Sequence, residues 1–146
     1  DFLRLNEIKS MWGELWFDKA LVRAPASMAW GLAQALRTEW ADVCHLAVAA
    51  EAEEVCEAAI ADEILGETDA VRMQQVLSAM EGGLLLGSSN ESAHIDPKGA
   101  QYLAVSYPVQ DALHLTESSF MGLCGARYIE EQLWNGNILR RKLSLS

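Results

Sequence analysis

The sequence has no GxGxxG loop, no GxxxxGK[ST] loop and no CxxC pair. The first two absences remove the usual backbone cradles for a pyrophosphate, and the third removes zinc-type and thioredoxin-type spacing. Its three tyrosines, Tyr102, Tyr107 and Tyr128, are followed four positions on by Ser106, Asp111 and Gln132. None therefore forms the Tyr-xxx-Lys pair of short-chain hydride transfer. Positive charge is scarce, with 11 Lys and Arg against 21 Asp and Glu and a net charge of −10. Such a surface repels phosphates, which argues against nucleic acid and anionic membranes as partners. No apolar run approaches the roughly 20 residues that cross a bilayer, and no signal peptide is visible. Cys44, Cys56 and Cys124 are odd in number and far apart. They suit a reducing, cytoplasmic setting in which free cysteine behaves as a small buried hydrophobe.

What is present is apolar and periodic. With 146 residues and 51% hydrophobic content the chain makes one domain with a real core. Phe2, Leu5, Ile8 and Met11 predict a short amphipathic helix over 1–11, ended by Gly13. Leu15-Trp16-Phe17 reads as a buried strand and Arg23-Ala24-Pro25 as a loop. Ser27 is the expected N-cap of a helix to Trp40, within which Gly31 suggests close packing on a neighbour. Val43 to Ala49 is a second strand, and an Ala/Glu-rich helix should run from Glu51 to Leu65 and stop at Gly66.

Thr68 to Met80 fits either a helix or a strand. Leu84 to Leu86 should be a strand, Ser88 to Gly99 an exposed loop, and Tyr102 to Ser106 another strand. A helix over Glu117 to Trp134, a turn at Asn135-Gly136-Asn137 and a last strand over Ile138 to Leu145 complete the expectation. Strands alternating with helices predict an α/β fold: a mainly parallel sheet covered on both faces.

No arrangement of reactive side chains stands out. His45 lies beside Cys44, but strand neighbours point to opposite faces, so a satisfied, semi-buried histidine is the expected role. His94 and His114 have no carboxylate at ligand spacing, and no metal site is expected. Cys124 in Gly122-Leu123-Cys124-Gly125 lacks the strand-to-helix turn of a nucleophile elbow, which leaves helix packing as its expected role. Nine acidic residues between Glu51 and Glu81 face a single Arg72, and Glu53, Glu54, Glu57 and Asp62 read as a solvated helix face. Trp12, Trp16, Trp30, Trp40 and Trp134 mark either a core or an interface with neighbouring domains.

One stretch has suggestive wording. Leu15-Trp16-Phe17, Val22-Arg23-Ala24-Pro25, Ala29-Trp30-Gly31-Leu32-Ala33 and Leu36-Arg37-Thr38-Glu39 resemble the ketoreductase region of type I polyketide synthases and animal-type fatty acid synthases. Cys44 to Val48, Glu51 to Leu65 and Ala70-Val71-Arg72 stand where that family has its next strand, helix and strand. The resemblance implies that 1–87 is the structural subdomain, a truncated Rossmann-like half that binds no cofactor. It further implies that 100–146 is a degenerate first β-α-β of the catalytic half. Residues 100–106 stand for its first strand, Gly122-Leu123 and Ala126 to Gln132 for its helix, and Ile138 to Ser146 for its second strand. The family's glycine-rich NADPH turn is replaced by Tyr107 to His114, which has a proline and no glycine.

Three functions follow as expectations. The leading one is a non-catalytic pseudo-ketoreductase that acts as a spacer, with tryptophan-rich surfaces docking neighbouring domains of the same synthase and with no cofactor or metal. The second is a small accessory subunit of a larger assembly, organellar if a targeting peptide has been removed. The third, an enzyme using Cys124 or His45, has the least support. A first residue of Asp1 suits a processed protein or a region cut from a longer one.

Overall fold

The computed structural model describes residues 11, 13–50, 60–66, 70–96, 99–105 and 122–144. Strand β1 (Trp16–Ala24) leads through Pro25 to helix α1 (Ala26–Ala35), which widens into a π-helical turn over Leu36–Trp40. Strand β2 (Asp42–Ala50), the short β3 (Glu63–Leu65), helix α2 (Ala70–Ser78) and strand β4 (Leu84–Gly87) follow. A single helical turn, α3 (Ser89–Ser92), strand β5 (Gln101–Ala104) and the long helix α4 (Gly122–Ser144) complete the order. Among the described residues the five strands are all parallel, in the order β3-β2-β1-β4-β5. This is a Rossmann-like α/β fold, with the order of strands reversing between β1 and β4.

Each face of the sheet has its own cover. On one face Ala20, Val22, Leu46, Val48, Leu84 and Leu86 meet Trp30, Leu36 and Trp40 of the first helical segment and Ile129, Leu133 and Trp134 of α4. On the other, Leu21, Ala47, Ala49 and Leu85 meet Leu77 of α2 together with Met80, Ile95 and Ala100. Strict alternation fails once. Phe17 shares a face with Ala20 and Val22 rather than with Leu21. In β2 the same shift places Val43 with Leu46 and Val48. Because Phe17 pairs with Val43 and Lys19 with His45, the two central strands shift together and keep their register.

Several expected boundaries move. Strand β1 runs past Phe17 to Ala24 and takes in Arg23, because its middle is paired on both sides and buried despite flanking polar residues. Pro25, not Ser27, occupies the N-cap of α1. Gly31 is exposed, and a Cβ there would meet nothing within 4 Å, so it serves no close approach. The end of the expected 51–65 helix is instead strand β3; Asp62 N–H donates to Leu46 O and the strand pairs with Ala47 to Ala49. Open hydrogen-bonding groups along β2 outweigh the helix propensity of an Ala/Glu sequence. The Thr68 to Met80 ambiguity resolves as helix α2.

Two corrections lie toward the C-terminal end. The stretch expected as an exposed loop after Leu86 opens with α3 and buries Ser88, Glu91 and Ile95. The expected turn at Asn135-Gly136-Asn137 and the strand over 138–145 are both part of one helix, α4. Gly136 holds helical form there because its missing side chain makes room: a Cβ would sit 2.5 Å from Gln101 Nε2. Residues 1–10 of the expected first helix and residues 51–59 of the expected 51–65 helix lie outside the described residues.

Candidate functional site

In open α/β sheets ligands bind outside the carboxyl ends of the strands, where the strand order reverses. Here that place lies between the end of β1, at Arg23-Ala24-Pro25, and the end of β4, at Gly87-Ser88. It is filled by an ion pair of the chain itself. Arg23 Nη1 lies 2.8 Å from Glu91 Oε1; the arginine is 40% exposed and the glutamate only 4%. Ser88 N–H donates to Glu91 Oε2 at 2.8 Å, and the Ser88 hydroxyl donates to the same oxygen. The Ser88-x-x-Glu91 spacing is that of a capping box, so the carboxylate both seats α3 and neutralises Arg23.

The surroundings fit this arrangement closely. A Cβ on Gly87 would stand 3.3 Å from Glu91 Oε2, so a larger residue there would press on the carboxylate. Across the crevice Pro25 caps α1 with φ −52° and ψ 145°. The buried carboxylate opposes a phosphate, which is drawn to positive charge. The sequence held the Ser-x-x-Glu signal of this corner; the Arg23 partner, distant along the chain, becomes visible only once β1 and β4 are paired.

A second polar cluster ties β3 to its neighbours. Arg37, within the π-helical turn, donates to Asp62 Oδ2 at 2.7 Å and to Ile60 O. Asp62 also accepts from Leu46 N–H at 2.9 Å. That backbone bond, and secondarily Arg37, hold the Asp62 carboxyl below its ordinary value. Asp62 is thus a bridging group and not the solvated helix residue the sequence suggested. Arg72 grips Glu63 from two nitrogens, at 2.6 and 3.0 Å, and His45 Nε2 lies 3.3 Å from the same carboxylate. Hydrogen bonding from Arg72 is the main reason the Glu63 carboxyl also lies below its ordinary value. These groups are one-fifth to one-half exposed, and they pair with one another.

The residues singled out in the sequence do not converge. Trp30, Trp40 and Trp134 are 9%, 7% and 2% exposed and belong to the core on one sheet face. Trp16, at the start of β1, is 54% exposed, and Trp12 lies outside the described residues. Cys44 is exposed and not a buried hydrophobe, while His45 is exposed and paired with Glu63. His94 is exposed beyond α3, and Cys124 falls in the first turn of α4. Cys56 and His114 lie outside the described residues. Among the described residues no group of three or more His, Cys, Asp or Glu is placed to hold a metal ion. Nor is any described helix long and apolar enough to cross a membrane.

No family model, no curated protein and no solved structure matches this chain.

Proposed function

We propose that this chain is a non-catalytic structural domain: a pseudo-ketoreductase that spaces and supports neighbouring domains of a cytoplasmic polyketide or fatty acid synthase without binding NADPH. The supporting observation is the crevice at the strand-order reversal, where Arg23 pairs with the buried Glu91 carboxylate. A Rossmann-like sheet that uses this position for an internal ion pair keeps the framework of a nucleotide fold while its ligand position serves stability. Among the described residues Trp16 is an exposed aromatic available for docking against a neighbouring domain.

Calorimetric titration with NADPH tests the cofactor half of the reading. No saturable heat is expected up to roughly 1 mM, whereas a dissociation constant in the micromolar range overturns it. Sequencing the surrounding reading frame tests the other half. An acyltransferase or acyl-carrier region in the same frame is expected, and a frame encoding only this chain behind a targeting peptide would favour the accessory subunit instead.

A further inference from the structure

A cavity of about 340 Å³ opens beside the start of β5. It is lined by Ser92, Ile95 and Ala100 from the segment before β5, by Gln101 and Tyr102 of β5, and by Gly136 and Arg140 of α4. That volume is at the small end of the range typical of sites for small organic ligands.

Two local costs coincide at its wall. Gly136 sits deep inside a 23-residue helix, where glycine is less favourable than alanine, yet any Cβ there would collide with the Gln101 amide. Gln101 itself is 7% exposed; its Nε2–H donates to Leu133 O at 3.0 Å while its Oε1 has no hydrogen-bond partner. Asn137 Oδ1, one residue beyond Gly136, is a second buried acceptor without a partner. Buried polar atoms in folded proteins are nearly always satisfied, so an unmet acceptor beside a cavity points to a donor supplied from outside the chain. Arg140 brings the charge. One of its nitrogens donates to Gly99 O at 3.3 Å, and a guanidinium has five N–H donors in a fork that fits a carboxylate.

We propose that this cavity binds a small carboxylic acid that also carries a hydroxyl or amide N–H donor. The carboxylate pairs with Arg140, the donor meets Gln101 Oε1, and the apolar part of the ligand lies against Ile95 and Ala100. Gln101 Oε1 is itself buried, so it reaches the donor by a rotation of the amide that gives up the Nε2–H bond to Leu133 O.

Mandelate is a suitable probe, with phenylacetate lacking the hydroxyl and mandelamide lacking the charge. Titration of the ¹⁵N-labelled chain with mandelate should shift the amides of residues 99–102 and 136–140 in a saturable way. Phenylacetate should bind about fivefold more weakly, the equivalent of one neutral hydrogen bond. Arg140→Gln should weaken mandelate by about tenfold, as expected for a charge-assisted pair, while leaving mandelamide unchanged. The proposal is overturned by the absence of saturable shifts, by equal affinity for mandelate and phenylacetate, or by an Arg140→Gln variant with unaltered mandelate binding and a native spectrum. NADPH plays no part in this titration, so its outcome is independent of the pseudo-ketoreductase reading.

Discussion

A side chain added at position 31 would meet nothing, whereas one added at position 136 would strike the Gln101 amide. The same substitution should therefore have opposite signs at the two sites. Gly31→Ala is expected to stabilise the fold by about 0.5–1 kcal/mol, through lower backbone entropy in the unfolded chain. Gly136→Ala should cost about 1–3 kcal/mol through overpacking, and pairing it with Gln101→Ala should recover much of that loss. Urea titration of the three variants checks both signs. Trp134 offers a second contrast, because its buried Nε1–H has no partner. Trp134→Phe should lie within about 1 kcal/mol of the parent, since it removes an unmet donor, while Trp134→Ala should cost about 3–5 kcal/mol.

Among the elements, β3 depends most on side chains. It is three residues long and pairs on one side, with β2, and the Arg37–Asp62 and Arg72–Glu63 contacts reinforce that edge. Both carboxyls titrate below their ordinary values of 3.8 and 4.5 in the folded chain. A carboxyl depressed on folding contributes stability that is fully present above its unfolded value and is lost as pH falls through the folded one. The acid limb of the stability curve should therefore steepen below about pH 4.5, and Glu63→Gln should flatten part of that limb while lowering stability at neutral pH. Chemical denaturation at a series of pH values measures this; a Glu63→Gln curve parallel to the parent's would remove Glu63 from the account.

These elements also show how far the sequence could be read. The β-α-β unit from β1 to β2 was legible because its apolar runs and helix periodicity agree with the buried faces they form. Strand β3 was hidden because residues 63–65 follow an Ala/Glu-rich stretch and take strand form only against β2. Helix α4 was misread at Asn135-Gly136-Asn137, where turn chemistry yields to a packing need at Gln101 that no local pattern reveals. The candidate site was not legible: residues 88–99 read as an exposed loop despite the Ser88-x-x-Glu91 spacing, and the ion-pair partner of Glu91 comes from another strand.

Across the whole molecule, stability should grade from the middle of the sheet outward. Strand β1 is paired on both sides, with Leu21 and Val22 fully buried, and β4 lies beside it. Native-state hydrogen exchange should find the slowest amides in β1, β2 and β4 and markedly faster exchange in β3. Uniform protection across all strands would show that the edge does not open separately.

Glu91 places a constraint on how this fold can change over generations. One carboxylate seats the turn after β4, neutralises Arg23 and stands where a nucleotide phosphate would approach. Replacing it to clear the crevice would uncap that turn and remove the Arg23 ion pair, and retaining it keeps a negative charge against the phosphate. A lineage starting from this sequence would thus need coordinated substitutions at positions 23, 88 and 91, with less stable intermediates between, before selection for cofactor binding could act.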